Sequence, residues 1–135
     1  MSSSDKTRVL LADDEPHVRL TMKAVLTKAG MDVVGEAADG DEAVAQHRQH
    51  RPDLVLLDIN MPFKTGEEAL REIIAEFPDA CVIMLTSVAE MRSINACLAA
   101  GASNYVPKDS SLEEILETIQ DTLTLHREEG EGRHG

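Results

Sequence analysis

The chain has 135 residues, enough for one domain that buries about two-thirds of its unfolded surface and too few for a second. Hydrophobic residues at 42% and charged residues at 28% exclude a disordered chain, and aromatics at 2% (Phe63, Phe77 and Tyr105 are the whole supply) leave no stacking platform for single-stranded nucleic acid. A formal charge of −12 opposes direct nucleic-acid binding and attraction to anionic membranes, and no apolar run approaches the roughly 18 residues of a membrane span.

Met1–Lys6 lacks the apolar run of a signal peptide, so it is expected to be a short extension on a cytoplasmic protein. The first strand is Arg8-Val-Leu-Leu-Ala12, followed by Asp13 and Asp14. Pro16 then suits the first position of a helix whose Val18, Met22, Val25, Leu26 and Ala29 share one face, with Gly30 as its left-handed stop. Asp32-Val-Val-Gly-Glu36 is the second strand, and an Ala-rich helix is expected over about Gly40–His50. Leu54-Val-Leu-Leu-Asp58 is the third strand, and Leu70, Ile73, Ile74 and Phe77 stripe the helix behind it. Cys81-Val-Ile-Met-Leu-Thr86 precedes another Ala-rich helix, about Ala89–Ala100, closed by Gly101. Asn104-Tyr-Val106 leads through Lys108 to a helix striped by Leu112, Ile115, Leu116, Ile119 and Leu123. Asp39, Thr65, Ser87 and Ser111 each precede a Glu by three residues, the capping-box spacing at a helix start.

Strict β-α alternation with apolar central strands predicts a doubly wound, five-stranded parallel sheet with helices on both faces, in the flavodoxin-like order 2-1-3-4-5. The folded domain is expected over 7–125, and the Glu- and Gly-rich 126–135, without an apolar stripe, is expected to be a disordered polar tail. In that strand order Asp13, Asp14, Asp58, Thr86 and Lys108 all fall on the carboxyl edge of the sheet, at the crevice where strands 1 and 3 part. An Asp pair after a strand, taken alone, also suits a solvated turn or a helix cap. Three carboxylates converging on a crevice repel one another, which points to a bound hard cation, and a water-rich carboxylate site favours Mg2+.

Leu11-Ala-Asp-Asp-Glu15, Asp58-Ile-Asn-Met-Pro62 followed by Gly66, Leu85-Thr-Ser87 and Tyr105-Val-Pro-Lys108 stand in order at these strand ends. With them the chain resembles the receiver domain of two-component response regulators over roughly Thr7–Leu125. The resemblance implies that Asp58 is the phosphoacceptor and that Asp14, Asp58 and the Asn60 carbonyl bind Mg2+, with Asp13 acting through water or by orienting the metal. It implies that Thr86 and Lys108 contact the phosphoryl group and that Tyr105 rotates with Thr86 as a switch. The implied donor is a histidine kinase or a histidine phosphotransfer protein, the output is an unidentified protein, and a phosphorylation-dependent homodimer is open. Such a protein is a switch that assists its own phosphorylation and dephosphorylation, not an enzyme with a separate substrate. Asp109 follows Lys108 where many receivers have Pro, as in a large subfamily with helix-turn-helix outputs, a domain this chain has no room for. A stand-alone receiver of the chemotaxis-regulator kind is therefore expected, with an excised domain as the other possibility.

A Mg2+-dependent phosphohydrolase of the haloacid dehalogenase type also uses a strand-end Asp, a Thr and a Lys, but needs an acid where this chain has Asn60, and a substrate cap. An FMN carrier would need aromatics to stack on the flavin. Cys81 and Cys97, without metal-ligand spacing, read as small buried hydrophobes, while His47 and His50, with no third ligand nearby, are expected to face solvent.

Overall fold

The computed structural model describes residues 6–134, so the expected N-terminal extension lies, apart from Lys6, outside the described residues. Five parallel strands, β1 (Arg8–Ala12), β2 (Asp32–Ala37), β3 (Leu54–Asp58), β4 (Val82–Thr86) and β5 (Asn104–Pro107), form one sheet in the order β2-β1-β3-β4-β5. Helices α1 (Pro16–Lys28), α2 (Gly40–His50), α3 (Gly66–Glu76), α4 (Ile94–Ala99) and α5 (Leu112–His134) cover it.

The alternation of side chains along each central strand divides the core into two layers. Val9, Leu11, Leu54, Leu56, Ile83 and Leu85 face Met22 and Leu26 of α1 and Ile115, Ile119 and Leu123 of α5. Leu10, Ala12, Val55, Leu57, Val82 and Met84 face Ala43, Leu70, Ile73 and Cys97 on α2, α3 and α4. Each buried Leu or Ile contributes about 1.5–3 kcal/mol relative to exposure, which is how a chain with so few aromatics holds its core. The two cysteines are free and buried, Cys81 in the α1/α5 layer and Cys97 in the other.

Helix punctuation follows the side-chain chemistry. The Asp39, Thr65 and Ser111 side chains accept from the backbone N–H groups of Glu42, Glu68 and Glu114, and Glu68 and Glu114 return the bond to the N–H of Thr65 and Ser111. Gly30 and Gly101 take the positive φ values, 88° and 116°, expected of closing residues.

Three expectations are corrected. The stretch read as one helix over Ala89–Ala100 is a 3-10 segment, Val88–Ser93, running into the short α4: no residue of the 3-10 segment is buried, so no packing selects the wider α turn. The region read as a disordered tail continues α5 to His134, since without Pro an established helix extends one bond per residue with no new nucleation cost. His47, expected at the surface, is buried on α2 at 4% exposure, its ring 4.8 Å from that of Phe77, over which the Arg51 guanidinium lies 4.4 Å from the ring centre. Burial first, and the Arg51 charge second, hold the His47 pKa below its usual value.

Candidate functional site

The carboxyl ends of β1, β3 and β5 bring three acids and a lysine together. Asp13 continues β1 by donating its N–H to the Ala37 carbonyl (3.0 Å), which fixes its backbone against β2. Its Oδ1 accepts the Glu15 N–H (2.9 Å) at the entrance to α1, and Arg19, one turn into the helix, donates to its carbonyl (2.6 Å). Asp13 is fully buried, and Asp14 beside it points to solvent.

Asp58 ends β3 at 1% exposure, its Oδ1 accepting from the Asn60 N–H at 3.4 Å. The loop after it is pulled in by Gly66, whose N–H donates to the Ile59 carbonyl (2.8 Å); a Cβ at Gly66 would overlap the Asp58 carbonyl, so no side chain fits there.

Lys108 leaves β5 with its N–H on the Thr86 carbonyl (2.7 Å), and its side chain reaches back across the sheet edge. Its Nζ lies 3.1 Å from Asp13 Oδ2, 3.2 Å from Asp58 Oδ1 and 3.2 Å from Glu15 Oε1. Burial disfavours the Lys108 ammonium, but the hydrogen bond and field of Asp13 and the charge of Asp58 outweigh it and raise its pKa. Asp58 is pushed the other way for a carboxylate: burial, then the charge of Asp13, raise its pKa to about 7 against the pull of Lys108 and the Asn60 N–H.

Among the described residues, Asp13, Asp14 and Asp58 are the group able to hold a metal, their carboxylate oxygens lying within 4.8 Å of one another. Asp13 Oδ2 is buried, with the Lys108 ammonium 3.1 Å away as its partner and the Asp14 and Asp58 carboxylates close by. Two buried carboxylates, one solvent-side carboxylate and a surplus of negative charge over the single Lys108 ammonium fit a hard divalent cation such as Mg2+.

Of the remaining expected residues, Thr86 ends the strand next to β3. Thr86 is fully buried at the end of β4, its hydroxyl donating to the Ser87 carbonyl (3.0 Å). Tyr105 is half-buried and packs against the α2–α4 core layer. Asn60 is exposed and neutral, so the acid required by the haloacid dehalogenase reading is missing two residues after Asp58, and that reading is not favoured. His47 and His50 form no metal group among the described residues. Glu15, quoted in the sequence pattern without a role, is the third carboxylate on Lys108; its place directly after the Asp pair was the available signal.

Comparison with known proteins agrees with this geometry. The profile described as "Response regulator receiver domain" matches residues 9–120. The chemotaxis protein CheY of Bacillus subtilis is 36% identical over 116 residues, covering 86% of this chain and 97% of that protein. The crystal structure of a CheY-like receiver domain protein from Methanospirillum hungatei superposes with a TM-score of 0.85 at 28% identity, covering 93% of this chain and 99% of that one. A chain of the crystal structure of the CheX-CheY-BeF3-Mg2+ complex from Borrelia burgdorferi gives a TM-score of 0.83 at 27% identity, over 90% of this chain and 92% of that chain.

Proposed function

The chain belongs to the response regulator receiver-domain family, a family of phosphoacceptor signalling switches, and from that membership we propose that Asp58 is the residue that receives the phosphoryl group. The observation that carries the assignment is the position of the Asp58 carboxylate, buried at the end of β3 and 3.2 Å from the Lys108 ammonium with Asp13 alongside.

An Asp58 carboxylate oxygen attacks the donor phosphorus, and the bond from phosphorus to the departing nitrogen or oxygen breaks as the new P–O bond forms. Nucleophile and donor are both anionic, so positioning and charge compensation carry the step. Asp13, Asp14, Asp58 and the Asn60 carbonyl would hold a Mg2+ ion, which would supply positive charge to both anionic reactants and favour the ionised Asp58. Lys108 neutralises a developing phosphoryl oxygen charge, and its raised pKa keeps it protonated throughout. The Thr86 hydroxyl, released from the Ser87 carbonyl, donates to another phosphoryl oxygen, and that exchange reshapes the turn after β4, with Tyr105 following into the space it leaves. The same groups assist hydrolysis of the acyl phosphate, so the protein promotes its own phosphorylation and resetting.

The donor is a histidine kinase or histidine phosphotransfer protein of the cytoplasm, and the output is a protein partner or a second copy of this chain that binds the α4-β5-α5 face when Asp58 is modified. Nucleic acid is not a direct target, given the net charge of −12. No described helix is long and apolar enough to cross a membrane.

Incubation with acetyl phosphate and Mg2+, followed by intact-mass measurement, tests the assignment. Wild type gains one phosphoryl group and Asp58→Asn gains none; labelling of Asp58→Asn at the wild-type rate overturns it.

A further inference from the structure

The loop between β3 and α3 contains a backbone conformation that needs outside support. Phe63 has φ 66° with its side chain 90% exposed, and the Lys64 N–H closes on the Pro62 carbonyl (2.7 Å), a γ-turn about a non-glycine residue. Such turns are rare and strained, and they persist only where neighbouring structure fixes them. Nothing packs on the Phe63 ring strongly enough to do so at that exposure, so the support lies one residue further on.

Lys64 makes it on both sides. Its carbonyl accepts the N–H of Gly40, the first residue of α2, at 3.0 Å, and a Cβ at Gly40 would overlap that carbonyl. Its ammonium sits 3.1 Å from Asp41 in the first turn of α2 and pairs with Glu72 on α3. Two residues later Gly66 presses on the Asp58 carbonyl, so the depth of the loop over the phosphoacceptor is fixed by a short chain of contacts that begins at α2.

We propose that Lys64 is a positioning residue: by clamping the β3–α3 loop between α2 and α3 it fixes the main chain of Asp58 and Asn60, and so sets Mg2+ affinity and the rate of phosphorylation without touching either. This rests on the assignment of Asp58 and its cation site made above. Ion pairs among partly exposed groups contribute little to global stability, so the consequence of losing the clamp belongs in the site and not in the melting temperature.

The test compares wild type, Lys64→Met, Lys64→Arg and the double variant Asp41→Asn/Glu72→Gln. Mg2+ affinity is read by isothermal titration and by the Gly66 amide shift, labelling by intact mass with acetyl phosphate at sub-saturating Mg2+, and folding by thermal melting. The expected result is Mg2+ binding weakened about tenfold in Lys64→Met, the size seen when an outer partner of a metal site is lost, with proportionally slower labelling. The double variant should follow it, and Lys64→Arg should recover most of the loss while melting stays close to wild type. Unchanged Mg2+ affinity in Lys64→Met, or a loss matched by collapse of the melting transition and not recovered by Arg, overturns the proposal. If wild type itself gains no phosphoryl group, the assignment of Asp58 fails instead, and the Mg2+ titration still decides the role of Lys64.

Discussion

Asp58 pays a cost for its position that can be measured without any phosphoryl donor. In the folded protein its carboxyl holds its proton up to about pH 7, whereas in the unfolded chain it loses it near pH 4, at about the ordinary Asp value. Between those limits the folded state binds more protons, so the contribution of Asp58 to stability falls as pH rises through the window and is constant above it. In EDTA, Asp58→Asn should therefore melt above wild type at pH 8, by on the order of 4 kcal/mol, with the difference vanishing toward pH 4. Thermal melts of the two proteins across that range measure it, and a difference that grows toward low pH would contradict the account. Mg2+ should shrink the gap at pH 8, because it stabilises the ionised wild-type carboxylate and has less to bind in the variant. The acids and the lysine were legible in the sequence because each stands at or just after the carboxyl end of a strand. The burial of His47 was not, because the Phe77 ring that packs against it comes from the end of a different helix, thirty positions along the chain.

At the scale of elements, local rules carried far. Strand runs, capping boxes and closing glycines act within a few residues, and β1, α2 and β3 fall where those signals place them. The failures are elements whose form depends on what does or does not pack against them: the 3-10 segment after β4 and the long end of α5. The β3–α3 loop falls between the two cases, since Gly66 was visible in the motif but the reason for it was a carbonyl eight positions earlier. That loop yields a pair of opposite predictions. Gly66 has no positive φ, so Gly66→Ala meets a steric obstacle only; it should displace the end of β3 and lower stability by about 1–3 kcal/mol. Phe63→Asn exchanges an exposed ring for a residue that tolerates the left-handed region and should raise stability by up to about 1 kcal/mol. Melting curves of both variants decide the matter; a loop without defined geometry would give neither shift.

Across the whole molecule, the groups that can answer a modification at Asp58 lie to one side of it. Thr86 and Lys108 sit on β4 and after β5, joined by the Lys108 N–H to Thr86 carbonyl bond, and Tyr105 lies on β5 between them and the α4 side of the core. The 3-10 segment and short α4 that follow Thr86 have little buried anchorage, with Val88 and Met91 exposed, so a rearrangement there displaces few packed groups. Beryllofluoride with Mg2+ should accordingly shift backbone amides across 88–116 as well as around the metal site. Shifts confined to the loops after β1 and β3 would remove the α4-β5-α5 face as the output surface.

The placement of the two thiols gives this asymmetry an internal clock. Cys81 and Cys97 are buried on opposite sides of one sheet, so a thiol reagent reaches each only when its own layer opens. Their reaction rates in the native protein therefore report the breathing of the α1/α5 layer and of the α2–α4 layer separately, in one sample, with neither residue near the phosphoacceptor chemistry. Activation that loosens α4 should quicken Cys97 while Cys81 keeps its pace, and the ratio of the two rates would then follow the switch in real time.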